Sequence, residues 1–307
     1  MAPSLPRTVV RLAGATAVVG AACFGWGLVE AKLYTVRRLT LPVLPAGCRP
    51  FTALHISDIH QLAKQRSKLE FLSGLADLKP DLVLNTGDNF SQPQALHPLL
   101  EALSSLSGVP GVFVFGSNDF HAPSKAKPLR YLQHGRSFHR PHSRTALPWE
   151  ELREGFESFG WQDATHRRLG LDVNGVHLAI RGVADAHHDL DDYSTVAGPA
   201  DPDADLNVGI MHAPYLRTLD AMTADGLDLL IAGHTHGGQV CAPGFGALIS
   251  NCDLPPSRAK GLSEHTAGGH TALLHVSAGL GTSPSAPYRF ACRPEVSLLT
   301  LIPRSTS

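Results

Sequence analysis

Five short polar blocks in the sequence contain side chains suited to binding metal ions. They are Asp58-Ile59-His60, Gly87-Asp88-Asn89, Gly116-Ser117-Asn118-Asp119, Met211-His212 and Gly233-His234-Thr235-His236. Imidazole and carboxylate ligands together suit Zn, Fe and Mn better than a dedicated Mg or Ca site. Within a block, two residues separated by one position beyond a strand end can both reach one ion. A single carboxylate between two such clusters can bridge two ions, and Asp88 is the candidate for that role.

Each block directly follows an apolar run that predicts a buried strand. The runs are FTALHIS, DLVLN, VPGVFVF, LNVGIM and LDLLIA. Two helical patterns, at residues 66–79 and 95–108, separate the first three runs. Alternating strands and helices predict right-handed crossovers and a largely parallel sheet, in which ligands gather at the carboxyl ends of the strands. The blocks therefore stand where a site is expected.

The second half of the chain predicts further strands. In RRLGLDVNGVHLAIRGV, Asn174-Gly175 is the tight turn of a hairpin. The remainder, to Leu301, alternates short apolar runs with Gly and Pro and predicts a more antiparallel half of a sandwich. A segment rich in Pro, His, Arg and Ser, at about 125–147, is interpreted as a long loop or insertion.

The N-terminal segment predicts a membrane anchor. Leu12 to Val29 is a run of eighteen residues without a charge, which is marginal but adequate for a membrane span. A signal peptide is the alternative, and it would release an exported form. We therefore expect residues 1–33 to be the anchor or signal segment and residues 34–307 to be one catalytic domain. Basic residues flank the run on both sides, so the side of the membrane stays open.

Composition narrows the classes of partner. The chain of 307 residues has a net charge of -1 at pH 7, so it has no overall field to attract nucleic acid. None of its five cysteines forms a CxxC pair, which argues against a thiolate zinc site. The oligomeric state is left open.

The order DxH, GD, GSND, H and GHxH resembles the calcineurin-like metallophosphoesterases, and GHTHGGQV is similar to their membrane-anchored bacterial branch. The resemblance implies an α/β fold of two mixed β-sheets packed as a sandwich and flanked by helices. It also implies two divalent metal ions and attack on phosphorus by a hydroxide bound to both. The implied ligands are Asp58, His60 and His236 for one ion, Asn118, His212 and His234 for the other, and Asp88 as the bridge.

One block departs from the family pattern, which is GNHD. A gap-free alignment puts Ser117 in the place of the metal-binding Asn and Asn118 in the place of the His that assists the leaving group. Alternatively, the loop shifts by one residue and Asn118 binds the metal. In both cases the general acid is absent from its place, although Asp119 matches the residue that orients it. His121 is the nearest substitute, and a solvated loop histidine is the alternative interpretation.

These observations favour an enzyme that hydrolyses phosphomonoesters or phosphodiesters, on lipid-linked or envelope substrates if the anchor is real. The alternative is a catalytically weak, metal-dependent module that binds a phosphate ester at the membrane. The run His187-His188-Asp189, with Asp191 and Asp192, is interpreted as a solvated loop, and another metal site is the alternative. Its position in the chain would let it border the substrate cleft, with help from Asp185. His55 and His275 are interpreted as structural.

Overall fold

The computed structural model describes residues 7–123, 145–282 and 286–304. Six α-helices lie in these ranges: α1 Arg7–Glu30, α2 Arg66–Ser73, α3 Leu96–Leu103, α4 Ser117–Phe120, α5 Trp149–Ser158 and α6 Leu216–Ala224. Both predicted helical patterns form helices, and each continues as a 3-10 turn, at Gly74–Leu78 and Ser104–Leu106. Most of the predicted loop at 125–147 lies outside the described residues.

Fourteen strands lie in the same ranges. They are β1 Thr35–Leu44, β2 Phe51–Ile56, β3 Leu82–Asn85, β4 Gly111–Phe113, β5 Trp161–Asp163, β6 Arg167–Val173, β7 Val176–Val183, β8 Leu206–Met211, β9 Leu229–Ala232, β10 Cys241–Ala242, β11 Gly246–Ala247, β12 Gly261–Ala267, β13 His270–Val276 and β14 Glu295–Pro303. Twelve of them form two six-stranded sheets, while β10 and β11 pair in a small hairpin.

The first sheet has the order β1-β14-β2-β3-β4-β5. Strands β2 to β5 run parallel, as the strand-helix alternation predicts. The C-terminal strand β14 lies between β1 and β2, parallel to the first and antiparallel to the second. The sheet is therefore mixed, with β1 at one edge and the C-terminal strand next to it.

The second sheet has the order β12-β13-β9-β8-β7-β6. Its centre, β7-β8-β9, is parallel, and antiparallel hairpins flank it on both sides. The predicted hairpin is β6-β7. Its turn residues Asn174 and Gly175 have φ of 53° and 83°, as a two-residue turn with left-handed geometry requires.

The main apolar core lies between the two sheets. Leu84 and Leu299 from the first sheet belong to one buried cluster with Ile180, Val208 and Ile231 from the second. Outside the sandwich, α2, α3 and α5 cover the first sheet and α6 covers the second. The predicted fold, two mixed sheets packed as a sandwich and flanked by helices, is confirmed.

The predicted membrane-anchored localisation is contradicted. Within the residues that the structure describes, no helix is both long enough and apolar enough to cross a membrane. The last turn of α1 instead contacts the sandwich: buried Glu30 accepts N–H groups of Ala291 and Cys292 at 3.1 and 2.7 Å, and the Gly27 carbonyl accepts the N–H of Arg289 at 3.0 Å.

Candidate metal centre

The seven predicted metal ligands lie at one edge of the sandwich, where the carboxyl ends of strands from both sheets meet. Asp58 and His60 follow β2, Asp88 follows β3, and Asn118 is in α4 after β4. From the second sheet, His212 follows β8, and His234 and His236 follow β9. Because the strands in each set run parallel, residues far apart in sequence come to the same edge.

Five of these residues have backbone angles that are rare for side chains larger than glycine. The values of φ are 49° for Asp58, 44° for His60, 58° for Asp88, 68° for His234 and 49° for His236. A left-handed residue costs roughly 1–2 kcal/mol. Such strain persists only where the surrounding structure holds it, and it concentrates at functional sites.

Two glycines let the loops approach one another. A Cβ at Gly233 would lie 1.8 Å from Ser57 Oγ and 2.6 Å from Asp58 Oδ2, and one at Gly116 would lie 2.2 Å from Asp88 Oδ1. Close approach is therefore what requires glycine at these positions. Gly87 is required for its backbone conformation as well, because its φ of 88° is rare for any other residue.

The first ligand group consists of Asp58, His60 and His236, whose ligand atoms all lie within 4.8 Å of one another. His236 Nε2 is 3.7 Å from Asp58 Oδ1, and the His60 and His236 rings are stacked with centroids 5.1 Å apart. Asp58 Oδ2 accepts hydrogen bonds from the Ser57 hydroxyl at 2.5 Å and the His234 N–H at 2.8 Å. These bonds orient the carboxylate and leave Oδ1 facing the group.

Asp88 lies between the two predicted ion positions. Its Oδ2 is 3.4 Å from Nε2 of His60 and 3.4 Å from Nε2 of His212. Asn118 holds the same carboxylate, because its backbone N–H donates to Oδ1 at 2.9 Å and its side-chain amide to Oδ2 at 2.6 Å. One carboxylate is thus within reach of both clusters, as a bridging ligand must be.

Three of the histidines are oriented by a bond to the ring nitrogen that faces away from the site. The Nδ1 partners are Ser91 Oγ for His60 at 3.2 Å, the Thr86 carbonyl for His212 at 2.7 Å and the Gly281 carbonyl for His236 at 3.2 Å. This arrangement leaves Nε2 free to bind an ion, as is usual for metal-binding histidines. His234 differs, since its Nε2 is 3.2 Å from the Asn251 carbonyl.

A second ligand group consists of Asp185, His212 and His234, again with ligand atoms within 4.8 Å of one another. All three are buried. Asp185 follows β7, which is the neighbour of β8 in the sheet. The sequence placed Asp185 only near the cleft. Asp185 nevertheless follows a buried strand, and the same signal identified His212.

The buried carboxylates and imidazoles of the site shift one another's pKa values. Burial raises the pKa of Asp88, but His212 and His60 hold it well below its usual value. Burial lowers the pKa of His212, yet Asp88 and Asp185 raise it well above the ordinary value. Burial lowers the pKa of His60 to about 4, and burial with the neighbouring His60 lowers that of His236. The carboxylates of Asp88 and Asp185 thus favour the charged form of His212.

The residues fit two divalent ions. Asp58 Oδ1, His60 Nε2 and His212 Nε2 are buried and have no hydrogen-bond partner among the described residues. Such groups are rare in folded proteins because an unpaired buried polar atom costs about 1–3 kcal/mol. Here all three atoms converge on the same edge and have the donor chemistry that Zn, Fe and Mn bind. Bound cations would satisfy them.

The two residues predicted to assist catalysis lie near this centre. Asp119 is buried and accepts N–H groups of Asp88, Asn89 and Gly116 at 2.8, 2.7 and 2.9 Å. Asp119 thus joins the loop after β3 to the loop after β4. Burial together with the charge of Asp88 raises the pKa of Asp119 to about 7. His121 ends α4, and its backbone bridges Ala146. It belongs to none of the ligand groups.

Two supporting features escaped the sequence reading. A buried chain of hydrogen bonds runs from His275 through His55, Thr86 and Ser57 to Asp58, with links of 3.1, 2.9, 2.7 and 2.5 Å. The second feature is Arg289, which is fully buried. Its guanidinium donates to backbone carbonyls, which are those of His236, Ala278, Gly279, Gly281 and Cys292.

Three known proteins illustrate what this chain is similar to. The chain is 28% identical over 296 residues to the uncharacterized protein YpbG of Bacillus subtilis, covering 95% of this chain and 97% of that one. It is 24% identical to the uncharacterized metallophosphoesterase YkuE of the same organism, covering 89% and 86%. The solved phosphopantetheinyl hydrolase of Mycobacterium tuberculosis is similar with a TM-score of 0.43 at 12% identity, over 78% of this chain and 92% of that one.

A family model matches the part of the chain that carries all five polar blocks. It is that of the calcineurin-like phosphoesterases, and the match covers residues 51–238. The chain belongs to the calcineurin-like phosphoesterase family.

Proposed function

We propose that this protein is a metal-dependent phosphoesterase that hydrolyses phosphomonoesters or phosphodiesters with two divalent ions. The position of Asp88 carries the proposal, since one buried carboxylate lies 3.4 Å from imidazole nitrogens of both clusters. Two bound ions supply activation of water and neutralise the negative charge of a phosphate ester. The donor set favours Mn, Fe or Zn.

The chain's own residues have three tasks in this proposal. Asp58, His60 and His236 hold one ion, while Asn118, His212 and His234 hold the other. Asp88 fixes the spacing between them. The backbone bonds to Asp119 keep the loops after β3 and β4 in register, which holds Asp88 against Asn118.

The leaving group receives no help from the residue that stands in the family's histidine position. Neither Ser117 nor Asn118 can donate a proton at neutral pH, and general acid catalysis is typically worth about 10²–10⁴-fold. We therefore propose a substrate with a good leaving group. His121 is the proposed substitute acid where the leaving group is poor.

A second candidate function is a metal-dependent module that binds a phosphate ester without rapid turnover. The contacts of Asp119 favour it, because this carboxylate is engaged by three backbone N–H groups rather than by an imidazole that it would orient. The two functions differ in turnover and share the metal centre.

Hydrolysis of bis-p-nitrophenyl phosphate by the full chain tests the proposal. The assay is run with added Mn²⁺, Fe²⁺ or Zn²⁺, with the wild type and with Asp88→Asn, which keeps the size of the side chain. We expect turnover that requires metal and falls by at least about 100-fold in the variant, since removal of one catalytic stabilising group commonly costs about 10²–10³-fold. Two bound ions without turnover would favour the binding module, and a chain that binds no ion would overturn both functions.

A further inference from the structure

A carboxylate that the family motifs do not include lies at the second ion position. We propose that Asp185 is a direct ligand of the second metal ion, together with His212 and His234. The inference rests on the proposed function, because it assigns a ligand to the same metal centre. It adds a negative charge at a position where the motifs supply, besides the bridging Asp88, only neutral ligands.

The sheet topology explains why Asp185 is at this position. β7, β8 and β9 are adjacent and parallel. Asp185 comes two residues after the end of β7, His212 one residue after β8, and His234 two residues after β9. Three neighbouring parallel strands thus each deliver one ligand to the same edge.

The surroundings of Asp185 leave room for an ion. The side chain is fully buried. Oδ1 accepts the N–H of His187 at 2.8 Å, and Oδ2 accepts that of Ser117 at 3.2 Å. A carboxylate has about four lone-pair sites, so each oxygen can accept one bond more.

The neighbouring histidine also has a ring nitrogen that can bind an ion. His212 Nε2 is buried and forms no hydrogen bond with the described residues, and ligand atoms of His212 and Asp185 lie within 4.8 Å of each other. Its ring is oriented from behind by the Thr86 carbonyl at 2.7 Å. An ion between these two residues would satisfy both groups.

The alternative role of Asp185 is purely structural. Its side chain caps the 3-10 turn Ala186–His188 and ties the loop after β7 to Ser117. The variant Asp185→Asn keeps the cap, because Asn is as good a cap as Asp, and removes the charge together with the bond that Oδ2 accepts from Ser117. Asp189→Asn is the matched control: it lies in the same loop, is exposed, and has φ of 55°, which Asn tolerates.

The experiment measures Mn²⁺ binding to the metal-free full chain by titration calorimetry, with metal content after dialysis as the second readout. For the wild type and Asp189→Asn we expect two ions per chain. In Asp185→Asn we expect the second ion to bind roughly 10- to 100-fold more weakly, the loss common when groups that support a metal are removed. An unchanged second affinity in Asp185→Asn would overturn the inference while leaving the proposed function intact. A wild type that binds no Mn²⁺ would overturn both.

A measurement on the wild type covers the case in which Asp185→Asn does not fold. In crystals grown with Zn²⁺, anomalous scattering locates the ions, and a ligand oxygen lies about 2.0–2.2 Å from zinc. We expect Asp185 at that distance from the ion that His212 binds. A carboxylate that contacts only the Ser117 and His187 N–H groups would overturn the inference.

Discussion

At the scale of single residues, Ser117 and Asn118 compete for one metal position. The side-chain amide of Asn118 lies 2.6 Å from Asp88 Oδ2, so a rotation of that amide is enough to present its oxygen to an ion. Ser117 is engaged through its backbone N–H, which donates to Asp185. We therefore expect Asn118→Ala to weaken binding of the second Mn²⁺ by about tenfold or more, and Ser117→Ala to change it little. A larger loss in Ser117→Ala would assign the ligand to Ser117.

The proton on His212 predicts how metal binding depends on pH. The carboxylates of Asp88 and Asp185 outweigh burial and raise the pKa of His212 well above its ordinary value, which favours the protonated ring over the neutral one. An ion needs the neutral ring and displaces that proton, so affinity rises with pH, by about tenfold per pH unit for one proton. Calorimetry between about pH 6 and pH 8, in buffers of different ionisation enthalpy, measures the release. Equal affinity across this range would contradict the protonated state.

At the scale of secondary structure, the loops at strand ends depend on glycine where they touch. Gly233→Ala would place a Cβ 1.8 Å from Ser57 Oγ and 2.6 Å from Asp58 Oδ2. We expect the variant to displace Asp58 and to lose metal-dependent turnover. Gly74→Ala is the control, since no atom lies within 4 Å of the added Cβ and φ is already helical at -80°. Crystallography and the phosphoesterase assay distinguish a displaced ligand from general unfolding. Wild-type turnover in Gly233→Ala would show that the loops can separate.

The elements show which parts of the site were predictable. The apolar runs before Asp58, Asp88 and His212 predicted where strands end. Parallel pairing of those strands was then enough to predict that the three residues lie together. Asp185 was missed because its loop, ADAHHDLDDY, contains several Asp and His residues, and no sequence pattern distinguishes the buried carboxylate of Asp185 from the others. The family motif, which contains no such residue, also drew attention to Asn118 instead.

At the scale of the whole molecule, long-range pairing was beyond the reach of sequence patterns. β14 lies between β1 and β2, although more than 250 positions separate Thr35 from its partner Glu295. The pattern of apolar and polar residues in β14 does not indicate that it pairs with β1. The end of α1 was likewise misread, because hydropathy does not reveal that Glu30 binds the backbone of Ala291 and Cys292. Contacts of this kind depend on tertiary structure rather than on a period in the sequence.

The metal centre joins the two sheets, which predicts that ions stabilise the whole fold. Asp58 and Asp88 come from the first sheet, whereas His212 and His234 come from the second. An ion bound across this edge stabilises only the state in which both sheets are assembled. At about 100 times its Kd, one ion adds about 2.7 kcal/mol to the free energy of unfolding. For a domain of this size, each kcal/mol raises Tm by about 2–4 °C.

Chelation therefore has a defined expected effect. Removal of one such ion lowers Tm by about 5–10 °C, and removal of two lowers it further. Differential scanning calorimetry of the full chain, with Mn²⁺ and after chelation, measures the shift. In Asp88→Asn the shift should shrink, because that variant loses the one carboxylate within reach of both clusters, whereas Asp189→Asn on the exposed loop should keep the full shift. A chelator that lowers Tm equally in Asp88→Asn and the wild type would mean that the stabilising ions bind elsewhere.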